Sequence, residues 1–326
     1  MDQVELFGTL GPSCCEEPVL EAMFRAGMNG CRLNLSHTSL EMSTDWISAF
    51  HTAADRAQVK EPQLLIDLEG PELRIGMLAS PLSIADGESI PVPMPGHVLA
   101  SLRIKDEVLL DDGKLEATVR KISNGTALLA FSRGGRLSSR KSIKIEGRSV
   151  QGPFLTPADK QNLALAGSFG VTAVMEPFVT GPEALHAIRK ELDQNGLQDV
   201  RIFAKIENRE GVEALSAIMK EADLVVIARG DLGNDVPFQE LPLVQKDISK
   251  RCRNAGCPFM VVTQMLTSME HSKAPTRAEL TDICNAVLDG ASALMVTNET
   301  AVGDYPALVI RVLAETAKAA LKARED

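Results

Sequence analysis

Two short apolar runs in this chain end alike. Arg201-Ile-Phe-Ala-Lys205-Ile-Glu207 and Leu224-Val-Val-Ile-Ala-Arg229-Gly-Asp231 each set one cation and one carboxylate two positions apart at the close of a strand-like segment. Side chains alternate across a strand, so Lys205 and Glu207 are expected on one face, and likewise Arg229 and Asp231. Like-facing charges at the exit of an apolar strand are costly to bury unless a metal, an anion or each other compensates them. The pattern therefore has two readings: a composite site for a divalent cation and an anionic substrate, or a pair of structural ion pairs. Glu207 and Asp231 offer the hard oxygen ligands that suit Mg2+ or Mn2+. The Gly230 turn offers backbone N–H groups to a carboxylate.

Two further runs carry polar groups in the same manner. In Cys31-Arg32-Leu33-Asn34-Leu35-Ser36-His37, a guanidinium, an amide and a hydroxyl share one face. An Arg fork suits phosphate oxygens and neutral oxygens suit K+ or Na+, although an ordinary half-exposed strand has the same pattern. In Leu64-Leu-Ile-Asp67-Leu-Glu-Gly70-Pro71-Glu72-Leu-Arg74, an apolar run ends in Asp before a Gly-Pro turn. Asp67 can join Asn34 and Ser36 at a cation and Arg74 can hold a phosphate, or Asp67 serves local hydrogen bonds alone. The five histidines show no metal-ligand spacing, so a His-centred mechanism is not expected. None of the six cysteines forms a C-x-x-C pair, and they read as buried or incidental thiols.

Positioning these groups requires strands, and β-rich runs followed by helical periodicity recur along the chain. Candidate strands are 4–10, 30–36, 63–68, 173–178, 201–207, 224–229, 259–264 and 293–298, with amphipathic segments at 17–26, 40–58, 158–168, 182–194, 210–221 and 238–255. Such alternation predicts a parallel sheet, and about eight units predict an α/β fold, a closed (β/α)8 or TIM barrel with its active site at the C-terminal ends of the strands. Arg32, Asn34, Ser36, Asp67, Lys205, Glu207, Arg229, Asp231, Thr263, Thr297 and Glu299 all fall at such ends. From 77 to 152 the helical period stops. Short β-like runs (107–110, 116–122, 127–131, 142–145) alternate there with Asp-Gly, Asn-Gly and Gly-Gly hairpin signals. The expectation is a discontinuous barrel domain, 1–76 and 153–326, with a small all-β lid domain, 77–152, inserted after the third strand. A final barrel helix is expected around 315–324. The 326-residue chain is long enough for ample core, and its net charge of −10 argues against a nucleic-acid partner. With no leader pattern and no apolar run of membrane-spanning length, the expected compartment is the cytoplasm.

Taken together, these segments resemble the pyruvate kinase family. The resemblance rests on Thr9-Leu-Gly-Pro-Ser13, Gly27-Met-Asn-Gly-Cys-Arg-Leu-Asn-Leu-Ser-His37, Asp67-Leu-Glu-Gly-Pro-Glu-Leu-Arg74, Lys205-Ile-Glu-Asn208, Ala228-Arg-Gly-Asp-Leu-Gly233, Thr263-Gln-Met-Leu266, Pro275-Thr-Arg-Ala-Glu279 and Glu299-Thr-Ala-Val-Gly-Asp-Tyr-Pro306, in the family's order. In the insertion it rests on Asp111-Asp-Gly113, Gly134-Gly135 and Ser139-Arg-Lys141. It implies phosphoryl transfer from phosphoenolpyruvate to ADP, giving pyruvate and ATP. It further implies Mg2+ (or Mn2+) on Glu207 and Asp231, and K+ near Asn34, Ser36, Asp67 and the Leu68 carbonyl. Lys205, Arg32 and Thr263 take the catalytic roles, with Lys205 neutralising the phosphoryl group in flight and the Thr263 hydroxyl involved in protonating the enolate. Arg32, Thr263, Gly230 and Asp231 would bind substrate, and Arg32, Asn34, His37, Arg74 and Arg140 the nucleotide. Glu72 fits a K+-using subtype, and the Pro275–Glu279 region would pair barrels into a homodimer.

The departures from the family pattern are specific. The chain stops after its eighth strand and helix, so a short form without the usual C-terminal effector domain is expected. Thr180 and Asn298 stand where the family usually has Arg and Gly, and Arg140 and Lys141 align only loosely with the lid cation. Two alternatives stay open. One is a Mg2+-dependent enzyme acting on a pyruvate enolate, as an oxaloacetate decarboxylase, an aldolase or a phosphotransferase to an acceptor other than ADP. The other is a non-catalytic paralogue.

Overall fold

The computed structural model describes residues 4–70, 73–111, 113–146 and 153–325. All eight expected barrel strands form: β1 (Glu5–Thr9), β2 (Gly30–Asn34), β3 (Gln63–Asp67), β4 (Ala173–Glu176), β5 (Arg201–Ile206), β6 (Leu224–Ala228), β7 (Phe259–Val262) and β8 (Ala293–Met295). Each pairs in parallel with its sequence neighbours, and β8 pairs with β1 to close the barrel. Closure explains the apolar runs, because strands covered on both faces have no solvent side to mark with polar residues. Phe7, Leu65, Met175, Phe203, Val226, Met260 and Met295 fill the interior. A second core, including Leu33, Ile66, Val174, Ile206, Ile227 and Leu294, packs the outer faces of the strands against the helices. At Gly30 in β2 the Gln63 carbonyl of β3 approaches so closely that a Cβ would collide with it, which is why the strand begins on glycine.

The strands end earlier than their apolar runs. Ser36, Glu207, Thr263 and Thr297 lie just past β2, β5, β7 and β8, on the connections that leave the barrel's C-terminal rim. Helices fill those connections, including Glu17–Arg25, Thr44–Arg56, Pro157–Leu165, Pro182–Gln194, Arg209–Ile218, Leu241–Ala255 and Arg277–Leu288. The last helix starts well before the expected 315, at Pro306, and runs to Glu325. Two helix starts carry reciprocal capping boxes, Thr156 with Asp159 and Thr276 with Glu279, which satisfy N–H groups that the first turn leaves open.

Contacts divide the chain into two compact units at Glu69/Gly70 and Phe154/Leu155. The first division falls ahead of the expected 76/77 because Leu73 and Ile75 belong to the smaller core, with Val92, Val108, Val119, Leu129 and Phe131. The smaller unit contains a five-stranded antiparallel sheet and a two-stranded ribbon, Leu82–Ile84 with Gly135–Leu137. A six-residue helix, Gly96–Ser101, also lies within it. Its central hairpin, Leu115–Ser123 with Thr126–Arg133, turns at Asn124-Gly125, where Gly125 takes φ 80°. Among the described residues no helix is long and apolar enough to cross a membrane.

Candidate functional site

At the β3 and β5 exits the side chains converge. Lys205, near the end of β5, places Nζ 3.2 Å from both carboxylate oxygens of Asp67 and 2.9 Å from Glu207 Oε1. Arg32, on β2, donates to Asp67 Oδ2 through Nε at 2.7 Å, with Nη2 2.6 Å away. Glu207 Oε2 accepts the Phe178 backbone N–H at 2.8 Å. The two carboxylates are buried, and only about an eighth of either cation's side chain reaches solvent. These contacts settle the face of Lys205 and Glu207: the two point together, as strand alternation requires.

Electrostatics follow from burial and from this pairing. Burial works against charge on Asp67, but the Lys205 and Arg32 cations outweigh it and hold the carboxyl below its usual range. Burial likewise opposes the Lys205 charge, and the Asp67 and Glu207 carboxylates overcome it, holding the ammonium above its usual pKa. Glu207 goes the other way. Burial pushes it up to about 7 against the pull of Lys205, and the negative charges of Asp231 and Asp67 add to the rise. Glu207 is thus a buried carboxylate crowded by other carboxylates, a condition that a divalent cation relieves. Among the described residues no group of three or more His, Cys, Asp or Glu is arranged to hold a metal. Two carboxylates fit an ion such as Mg2+, which keeps waters and takes its remaining ligands from a substrate.

Beside this cluster the β2–β3 rim gathers neutral oxygens. Asn34 closes β2, and its Oδ1 accepts the Ser36 N–H at 3.1 Å. The Leu35 N–H donates to the Asp67 carbonyl at 2.9 Å, and the Leu68 N–H to the Met175 carbonyl at 3.1 Å. Asn34 is thus tied to Ser36 through its side chain, and Asp67 and Leu68 are held by backbone bonds to Leu35 and Met175; the hard oxygens of these four residues suit K+. His37 sits on the turn after β2, exposed, its backbone N–H bonded to the Asn34 carbonyl.

The β6 exit departs from its sequence reading. The strand ends at Ala228, and Arg229–Asp235 is helical, so alternation no longer sets the directions of Arg229 and Asp231. Arg229 points across to β7. It donates to the Thr263 carbonyl from Nη2 at 2.6 Å and Nε at 3.1 Å, and Nη1 meets Asp282 at 2.6 Å. Its charge partner is therefore Asp282, on the helix Arg277–Leu288, rather than Asp231. Asp231 is half-buried, and its negative charge reaches both Glu207 and Lys205. Thr263 and Gln264 adopt left-handed φ values of 74° and 57°, sparsely populated for non-glycine residues and most of all for a β-branched one. A Cβ at Gly230 would lie 3.1 Å from Thr263 Cγ2, so a side chain there would crowd the threonine.

Three contributors were not legible as such. Glu176 ends β4 between the β3 and β5 exits, fully buried, and among the described residues neither carboxylate oxygen has a hydrogen-bond partner. Burial pushes its pKa well above the usual range, and Asp159 and Asp67 push it further. Its one sequence signal was a carboxylate closing an apolar run. Phe178 contributes through its backbone N–H at φ 52°, which no side-chain pattern announces. Arg229 was singled out, but for the wrong partner. In the smaller unit, Arg74 Nη1 donates to the Arg140 carbonyl at 3.0 Å, so these two predicted nucleotide contacts are neighbours there. Glu72 lies outside the described residues.

A family model described as "Pyruvate kinase, barrel domain" matches residues 1–100 and 82–310. A pyruvate kinase of Clostridium acetobutylicum is 34% identical over 336 residues, covering 98% of this chain and 71% of the relative. One from Mycobacterium tuberculosis is 35% identical over 319 residues, covering 94% and 67%. One from Sporosarcina psychrophila is 34% identical over 322 residues, covering 94% and 55%.

Proposed function

The chain belongs to the pyruvate kinase family and is a phosphotransferase, and on that premise we propose that it moves the phosphoryl group of phosphoenolpyruvate to ADP with the help of Mg2+ (or Mn2+) and K+. The observation that carries this reading is Lys205, a buried ammonium held charged between Asp67 and Glu207 with Arg32 beside it. A lyase acting on the enolate needs only the metal and an Arg, whereas a phosphoryl group in transit spreads further negative charge that a fixed ammonium stabilises.

The residues divide the work. Glu207 and Asp231 hold the divalent cation, which when bound neutralises and orients the substrate's carboxylate and phosphate. Asn34, Ser36, Asp67 and the Leu68 carbonyl hold K+. Arg32 grips phosphate oxygens as a fork, and the Gly230–Asp231 backbone receives the carboxylate. Lys205 stays beside the phosphoryl group as its bond to the enol oxygen breaks and a bond to the ADP oxygen forms. The enolate left behind takes a proton at its methylene carbon, with the Thr263 hydroxyl on the delivery path. His37, Arg74 and Arg140 serve the nucleotide with Arg32 and Asn34. The working form is a cytoplasmic homodimer joined near Pro275–Glu279, and sedimentation showing only monomer at working concentration removes that part.

The test is direct. Purified protein is incubated with phosphoenolpyruvate, Mg2+ and K+, with and without a panel of nucleoside diphosphates, and pyruvate is measured. Pyruvate that forms only with a diphosphate supports the reading, and none with any acceptor overturns it. Pyruvate from oxaloacetate without ADP, in a protein inactive on phosphoenolpyruvate, assigns the site to enolate chemistry instead.

A further inference from the structure

Far along the chain from these residues, the helix Leu241–Ala255 ends in a turn that holds two cysteines together. Gly256 closes it at φ 67°, and its N–H donates to the Arg253 carbonyl at 3.2 Å. The Cys257 N–H then reaches back to the Cys252 carbonyl at 3.0 Å. This six-residue bond is the Schellman closure, which brings its first and last residues side by side and is commonly accompanied by an apolar contact between them. Here both residues are cysteines, set side by side by the turn, and the Cys257 thiol donates to the Pro258 carbonyl at 3.6 Å. Cys252 is fully buried and Cys257 is half-exposed, so solvent reaches one residue of the pair and not the other. The remaining four thiols lack this arrangement: Cys14 donates to the Thr9 carbonyl, Cys15 to the Pro12 carbonyl and Cys31 to the Met28 sulfur, while Cys284 lies on the helix Arg277–Leu288.

We propose that Cys252 and Cys257 are a peroxide-sensitive dithiol that closes to an intramolecular disulfide. Cysteines placed side by side by a hydrogen-bonded turn need little more than side-chain rotation to reach disulfide geometry. The half-exposed cysteine is also the better nucleophile. Pairing with the Cys252 thiol lowers the Cys257 pKa, while the same pairing and burial push Cys252 up. Cys257 Sγ attacks one peroxide oxygen, the O–O bond breaks, and hydroxide leaves and is protonated to water. Cys252 Sγ then attacks the resulting Cys257 sulfenic acid. The S–S bond forms as the S–O bond breaks, and the Cys252 proton departs with the oxygen as a second water. Two thiols are oxidised and one hydroperoxide is reduced. The product clamps the end of the helix to the start of β7, the strand whose other end leads into Thr263.

The experiment uses the whole chain. Protein is treated with hydrogen peroxide, unfolded in denaturant and alkylated, and labels are counted by mass. Wild type has six cysteines, and a loss of two labels that dithiothreitol restores is expected, with the lost pair mapped to Cys252 and Cys257. In Cys257→Ser that paired loss disappears. In Cys252→Ala dimedone traps a sulfenic acid on Cys257. Cys257→Ser changes a half-exposed side chain by one atom and serves alone where Cys252→Ala does not fold. A wild type that keeps all its labels, loses a different pair, or takes Cys257 to a state that dithiothreitol does not restore overturns the proposal.

Discussion

The exits of β5 and β6 are written in nearly the same letters and do opposite things. After β5 the chain stays extended through Glu207, so Lys205 and its carboxylate meet at 2.9 Å and face the same pocket. After β6 it turns helical at once, and Arg229 swings over to hold the Thr263 carbonyl and Asp282. One cation is set against the buried carboxylates of Asp67 and Glu207, and the other braces the strained loop that carries Thr263. Residue type and spacing fix what a strand exit can offer. The backbone conformation past the last ladder bond decides where it is offered.

Removing each cation tests that division, and the larger effect belongs to β5. Lys205→Met is expected to lose at least ~3 kcal/mol of transition-state stabilisation, a fall in kcat of more than about a hundredfold. The check is steady-state kinetics on protein shown to be folded by circular dichroism. A variant that keeps most of the wild-type rate breaks the contrast outright. Arg229→Met should register first in stability. It strands Asp282 and the Thr263 carbonyl around a nearly buried position, at a cost of roughly 2–3 kcal/mol. Denaturant unfolding measures this. An unchanged midpoint alongside a collapsed rate would move Arg229 into the reacting site.

What could be read in advance divides along the same line. The barrel was legible because eight buried strands each announce themselves as an apolar run, and periodicity survives small errors at their ends. Those ends were less legible, and the error fell on Arg229, where helix follows strand with no residue between them. In the smaller unit the strand Ser89–Pro93 was hidden by its two prolines, which an edge strand tolerates and a pattern search rejects. The helix Arg277–Leu288 went unread although Thr276 and Glu279 spell a capping box. Lys205, Glu207, Arg32 and Asp67 were legible because charge at the end of an apolar run demands an explanation. Phe178 was not, since its contribution is a backbone N–H brought from the next strand over.

The β5 exit also makes a pH prediction that the β6 brace does not. With Glu207 pushed up to about 7, burial favours its neutral form. Its contribution to folding is therefore fully present below the unfolded-state carboxylate pKa and is lost as pH rises through about 7. Divalent-cation affinity runs in the opposite sense, because a proton on Glu207 competes with the metal. Between pH 8 and pH 6 affinity is expected to fall about tenfold, corresponding to one competing proton. Mn2+ titration followed by electron paramagnetic resonance measures it. Glu207→Gln should bind weakly with a flat profile, and an equally steep profile in that variant would assign the proton elsewhere.

The smallest effect probes the loop that Arg229 braces. Gln264 is exposed and held at φ 57°, next to Thr263 at φ 74°. A left-handed non-glycine residue costs roughly 1 kcal/mol, and glycine removes that strain while adding freedom to the unfolded chain, which returns part of the gain. Gln264→Gly is therefore expected to stabilise the protein by about 0.5 kcal/mol in denaturant unfolding. In an Arg229→Met background the loop is already free to relax, so the same change should gain less. An equal gain in both backgrounds would mean that Arg229 does not hold the loop in its strained form. The two strand exits would then differ in direction without differing in role.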